Sequence, residues 1–138
     1  MESAELWKFG EGYIAAWNTQ TVDEVVALYT EDVVYVDPNT RGPVEGADAM
    51  RRYLTKLFGR WRMRWSIKEI FPLADPAGGC TALWHASFAR DGGEAAVEVD
   101  GMELIVLDGG KVKRNEVYFD RAALAPLVGV GEVPARAA

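Results

Sequence analysis

From Gly59 onward the hydrophobic period of the chain changes from helical to two, and nothing else in the sequence constrains the fold as strongly. Upstream, Leu6, Phe9, Tyr13, Ile14 and Trp17 recur at helical spacing and Asn18 is a stop signal, which predicts a first helix. Thr21 followed by Glu24 has the spacing of a capping box, in which two side chains satisfy N–H groups left unpaired at a helix start. It predicts a short second helix over residues 22–29. Residues 33–37 read as a strand stopped by Pro38, and residues 38–46, with two prolines and two glycines, as a loop. Met50, Tyr53, Leu54 and Leu57 mark a third helix that ends before Gly59.

Downstream the period is two. Residues 60–71 predict a long strand, with a phase slip at Ile70 and Phe71 that suggests a bulge. Strands over 81–90, 95–107 and 111–119 follow, separated by turn signals at 75–79, 91–93 and 108–110. Asp120 is placed to cap a short terminal helix over 121–127, and the tail from Gly129 is expected to fray. Segregated helices and strands mean α+β packing. The expectation is three N-terminal helices on a strongly curved, mainly antiparallel sheet, a cone of the cystatin-like roll type with an internal cavity. One domain over residues 1–128 accounts for the whole pattern.

Charge and composition narrow the partners. The net charge of −6 disfavours nucleic acid and anionic membranes, which both require a positive footprint. Arg60, Arg62, Arg64 and Lys68 alternate with Trp61, Met63, Trp65 and Ile67, so they read as the solvated face of a strand. No apolar run approaches the roughly 18 residues of a spanning helix, and the acidic start predicts no secretory signal. A cytoplasmic location is expected. Cys80, the one cysteine, excludes an internal disulfide framework and a cysteine metal cluster. His85, the one histidine, lacks partners at ligand spacing and reads as structural. Trp61, Met63 and Trp65 exceed what one strand needs for its own core, which suggests a homodimer through the outer sheet.

Several short patterns carry a resemblance to a known family: Tyr13-Ile-Ala-Ala-Trp17, Val25-Val-Ala-Leu-Tyr29, Val36-Asp37-Pro38, and Gly46 with a helix after it. Gly110-Lys111-Val112 and Tyr118-Phe119-Asp120 close the set. Over residues 4–128 the chain resembles the SnoaL-like, nuclear-transport-factor-two-like superfamily, and its N-terminal half is similar to the ketosteroid isomerases. That superfamily hosts isomerases, cyclases, hydratases, hydrolases and members with no chemistry, so the resemblance implies a fold before an activity.

What the isomerase resemblance implies is a proton transfer. Tyr13 matches the tyrosine whose hydroxyl donates to the substrate oxygen, and Asp37 matches the aspartate that moves the proton. A carboxylate over an apolar pocket takes a proton from carbon beside a carbonyl, and a neutral acid opposite stabilises the developing enolate. Aligning the final hairpin by Leu107 puts Glu103 where the family keeps a protonated aspartate, whereas an ungapped alignment puts Met102 there, which cannot donate. Asp37 also stands before a proline, where aspartate occurs simply as a turn former. The limonene-epoxide-hydrolase-like members carry an aspartate where this chain has Val117, so the resemblance to them stops at the fold.

The expected cavity lies between the first helix, the third helix and the inner sheet face. It would touch Tyr13, Trp17, Asp37, Tyr53, Asn115, Val117 and Phe119, with Trp65 and Trp84 adding flat apolar wall. A small hydrophobic carbonyl compound of steroid or polyketide type is the expected ligand, and no metal or redox cofactor is implied. A non-catalytic binding or dimerisation module of the same fold is the alternative.

Overall fold

The computed structural model describes residues 2–128. Helix α1 (Ser3–Asn18) and the short α2 (Val22–Val26) lead into strand β1 (Tyr29–Val36). The two-residue β2 (Val44–Glu45) and helix α3 (Ala47–Arg60) come next. Four strands complete the sheet: β3 (Trp61–Pro72), β4 (Gly79–Arg90), β5 (Ala96–Asp108) and β6 (Lys111–Tyr118). A 3-10 helix (Arg121–Leu127) follows, capped by Asp120, whose carboxylate accepts from the Ala122 N–H. The expected tail from Gly129 lies outside the described residues.

The six strands form one curved, open sheet in the order β2-β1-β6-β5-β4-β3, with helices packed on its concave side. All neighbours are antiparallel except β1 and β6. That parallel pair joins the N-terminal half to the end of the meander, and it explains why α2 is shorter than expected. Val112 N–H donates to the Leu28 carbonyl and Tyr29 pairs with Val112, so the chain leaves the helix to enter the sheet. β1 accordingly begins at Tyr29 rather than at residue 33. The capping box does not form: the Thr21 hydroxyl donates to the Thr19 carbonyl and caps nothing.

Three further boundaries differ from expectation. Val44 and Glu45, in the expected loop, pair with Tyr35 and Val34 as a short edge strand. α3 runs through Gly59 to Arg60, and a Cβ at Gly59 would meet nothing, so the glycine is no obstacle there. The bulge in β3 falls between Ile67 and Glu69, not at Ile70 and Phe71. The phase slip is its consequence, because it leaves Ile70 buried and Phe71 half exposed.

α1 lies on β3, and the approach is close. A Cβ at Gly10 would sit 2.8 Å from the terminal carbons of both Ile67 and Ile70. β3 is the sheet edge, and outward backbone groups in its first half, from Trp61 to Trp65, are occupied by side chains at and just after the end of α1. Asn18 donates to the Trp65 carbonyl (2.9 Å) and accepts from the Trp65 N–H (2.8 Å). Gln20 makes the same pair of bonds to the Trp61 carbonyl and the Met63 N–H. These contacts block the edge against pairing with another chain. Trp61 and Met63 are buried on the inner face, so they offer nothing to an outer-face dimer contact. Among the described residues, the large apolar side chains exposed on the strands are Val34, Phe71, Met102 and Tyr118. No helix among the described residues is long and apolar enough to cross a membrane.

Candidate functional site

Two buried polar clusters occupy the concave side. The first gathers residues far apart in sequence: Tyr13 on α1, Tyr29 at the start of β1, Glu103 on β5 and Asn115 on β6. Strand alternation selects Glu103 over Met102: Glu103 is 5% exposed and Met102 is 42% exposed. The Tyr13 hydroxyl lies 2.8 Å from Glu103 Oε1, 2.8 Å from Asn115 Oδ1 and 3.0 Å from the Tyr29 hydroxyl. Tyr29 is also 2.8 Å from Asn115 Oδ1, and accepts from Trp17 Nε1 at 3.2 Å. Asn115 Nδ2 donates to the Leu104 carbonyl and to Glu103 Oε1, which orients its amide.

The hydrogens in this cluster can be counted. Oxygen meets oxygen at four short contacts, but two phenols bring only two hydrogens. A neutral Glu103 supplies a third. Burial acts in the same direction, pushing the Glu103 carboxyl above its ordinary range against the hydrogen bonds from Tyr13 and Asn115. The Trp84 indole lies close enough to favour the charged form, yet its Nε1 is buried without a hydrogen bond of normal geometry. Burial also holds the Tyr13 and Tyr29 phenols well above their usual value.

The second cluster centres on Asp37. Its Oδ2 accepts from the Tyr35 hydroxyl at 2.7 Å and from the Tyr53 hydroxyl. Its Oδ1 accepts from the backbone N–H groups of Asn39 (2.6 Å) and Thr40 (3.1 Å). Asp37 is therefore a turn former through one oxygen and a partner of two phenols through the other. Desolvation raises its pKa, and these four donors oppose the rise. Tyr35 precedes Asp37 by two, so strand alternation alone sets both side chains on one face. That signal was legible but unused, and Tyr29 was hidden by the expectation of a helix there.

Between the clusters is a cavity of about 30 Å³ lined by Tyr13, Ile14, Trp17, Tyr35, Trp65, Glu103 and Val117. It has room for a few water-sized molecules and is far smaller than a drug-sized ligand needs. A second cavity of about 690 Å³ opens beside Tyr53, whose hydroxyl donates to Asp37. The single cavity expected from the sequence is thus divided. Aromatic rings fill the division: Trp17 packs on Tyr35, Phe58 and Trp65 at centroid distances of 6.2, 5.8 and 5.5 Å. Tyr13, Trp17, Trp65, Glu103 and Val117 reach the small cavity, and Tyr53 the large one. Asp37 and Asn115 stand behind the tyrosines. Trp84 and Phe119 pack on each other at 6.0 Å, with Trp84 over Gly101, and line neither cavity.

His85 lies apart, on the outer face, with Nδ1 2.7 Å from Asp100 and Nε2 3.0 Å from Glu98. Hydrogen bonds to those carboxylates raise its pKa. Among the described residues no group of three His, Cys, Asp or Glu side chains is arranged to hold a metal.

Comparison with known proteins agrees with this fold. The sequence profile of the SnoaL-like domain matches residues 11–115. No curated protein matches the chain. Among solved structures, a proposed isomerase from Bacillus subtilis is similar, with a TM-score of 0.78 and 14% identity over 92% of this chain and 95% of that one. A hypothetical protein with a ketosteroid isomerase-like fold from Catenulispora acidiphila, in complex with trimethylamine, gives 0.74 at 16% identity, covering 86% and 91%. A proposed polyketide cyclase from Silicibacter gives 0.73 at 16% identity, covering 90% and 95%. Identities this low establish a shared fold and no more. With its profile match spanning most of its length and its helices closed over a curved mixed sheet, the chain belongs to the SnoaL-like family.

Proposed function

We propose that the protein binds a small, mainly apolar carbonyl compound and moves a proton on it, in an isomerisation or an aldol-type cyclisation. The observation that carries this reading is the presence of two buried carboxyl groups, Asp37 and Glu103, each hydrogen-bonded to tyrosine hydroxyls. Both carboxyls are raised by burial, and Asp37 contributes to the rise at Glu103. Buried carboxyl groups with raised pKa values suit general acid–base chemistry closer to neutral pH than an ordinary carboxylate does. Asp37 is the base. Tyr13 and a neutral Glu103 are donors toward the oxygen on which charge develops.

The geometry sets a condition on this chemistry. Asp37 Oδ2 carries the Tyr53 hydroxyl, and Tyr53 lines the large cavity. A substrate carbon reaches that oxygen only when Tyr53 releases it. For its carbonyl to meet Tyr13 and Glu103, the packed rings of Trp17, Tyr35 and Trp65 must part as well. The test is turnover of a β,γ-unsaturated cyclic ketone, followed by absorbance of the conjugated product, in the unmodified protein and in Asp37→Asn.

A second reading is supported by the same residues. Four hydrogen bonds on Asp37 and an inner cavity of about 30 Å³ suit a structural carboxylate under a non-catalytic binding pocket. Ligand binding in the large cavity without turnover of any carbonyl compound would decide for that reading.

A further inference from the structure

The large cavity has a basic rim. Arg41, Lys56, Arg60, Arg90 and Arg121 all line it, and among the described residues no acidic side chain does. They arrive from separate parts of the chain: the loop after β1, the last turns of α3, the end of β4 and the start of the 3-10 helix. Five of the fifteen Lys and Arg of a chain with net charge −6 therefore converge on one hollow. Gathering like charges around a concave surface is unfavourable by itself and focuses a positive potential into the opening. Lys56 and Arg60 are four residues apart on α3, so they occupy one face of it, and both are exposed. Arg90 lies over the Trp61 ring, 5.2 Å from its centre, and that cation–π contact anchors it at the wall. The Arg121 charge lies near enough to Tyr53 to favour its phenolate, so the positive field extends to the tyrosine that covers Asp37.

The remaining wall includes Leu57, Trp61 and Leu124. Apolar floor with a cationic rim fits one kind of molecule. We infer that the large cavity takes a flat apolar compound bearing an oxyanion group, carboxylate or phosphate, with its ring system on Trp61, Leu57 and Leu124 and its charged end on Lys56 and Arg60. Guanidinium groups match the two oxygens of either head group in a forked geometry, and lysine adds a point charge. The inference rests on reading the protein as a small-molecule pocket, and it is independent of the proton transfer.

Isothermal titration calorimetry of the full-length protein at low salt tests it with 2-naphthoate, 2-naphthyl phosphate and the uncharged 2-naphthalenemethanol. The expected result is an anion bound at least about tenfold more tightly than the alcohol, with the tighter of the two anions identifying the head group. The preference should fall close to unity in a Lys56→Met, Arg60→Met double variant whose circular dichroism matches the parent. Should that variant misfold, Lys56→Gln alone should lower the preference about threefold. Equal affinity for the alcohol, an unchanged preference in the variants, or no binding of any probe would overturn the inference. So would displacement of naphthoate by a single-stranded oligonucleotide, which would make the rim a polyanion surface. If Asp37-dependent turnover of the neutral ketone is found without any charge preference, this inference fails alone. If the preference holds and no carbonyl compound turns over, the proton-transfer reading fails alone.

Discussion

The Tyr13 hydroxyl lies 2.8 Å from Glu103 Oε1, although 90 residues separate the two in sequence. α1 supplies the phenol and β5 the carboxyl, and Asn115 on β6 donates to the same oxygen from the neighbouring strand. Both partners are buried, so the proton between them is shielded from solvent.

That burial predicts a specific pH dependence. Glu103 has a folded-state pKa above its unfolded value of about 4.3, so the folded protein binds more protons than the unfolded chain between those two values. Its contribution to stability is full below about pH 4 and is lost as pH rises through the folded pKa. Glu103→Gln has no proton to lose. Urea denaturation from pH 5 to 8 should therefore show the variant gaining on the parent as pH rises. Carbon-13 NMR of the Glu103 carboxyl should place its midpoint above the ordinary glutamate range. A flat difference between variant and parent would contradict a neutral Glu103.

Asp37→Asn keeps shape and volume while removing the basic lone pair. If the protein turns over the β,γ-unsaturated ketone, the rate should fall by roughly a hundred- to ten-thousand-fold, the usual contribution of a general base. Binding of a planar product analogue should survive, because the tyrosine hydroxyls can still donate to the amide oxygen. Retention of the rate in Asp37→Asn would remove Asp37 from the base role.

Gly101 should tolerate no side chain. A Cβ there would sit 2.4 Å from the Trp84 ring and 2.8 Å from the Tyr118 carbonyl oxygen. Trp84 is fully buried and cannot yield easily. Gly101→Ala should cost about 1–3 kcal/mol, the usual range for overpacking, as read from the urea midpoint. The same substitution at Gly12, where a Cβ would meet nothing, should be neutral or stabilising because Ala is the better helix former.

The edge of β3 offers a separate test. Asn18→Ala leaves the Trp65 N–H and carbonyl without their side-chain partners. A loss of about 1–2 kcal/mol is expected, with a greater tendency to associate through the exposed edge. Light scattering at increasing protein concentration measures the association. Gln20→Ala should behave alike at Trp61 and Met63.

Much of the fold was legible because period is a local property. The helical stripe from Leu6 to Trp17 and the alternation from Trp61 to Ile67 each report which side of one element is apolar, and both are realised. Boundaries that depend on a partner were not legible. Residues 27–29 continue a helical pattern in sequence, and only the meeting of Leu28 and Tyr29 with Val112 across the sheet makes them leave the helix. The choice between Glu103 and Met102 was open for the same reason: one step of register exchanges the faces of a strand, and only pairing with Ala82 and Val117 decides it.

For the site, residue types were set by sequence and their company by tertiary structure. Tyr13, Asp37 and Glu103 are recognisable from local pattern and from resemblance, because a phenol or carboxyl amid apolar neighbours stands out on a line. That Tyr35 and Tyr53 share one carboxylate oxygen, that aromatic rings divide the interior, and that basic residues 41, 56, 60, 90 and 121 face one hollow are not local facts. In sequence those cations are scattered among acids in an acidic chain. Charge and cavity shape act through space, so only the packing of α3, β4 and the terminal 3-10 helix brings them together.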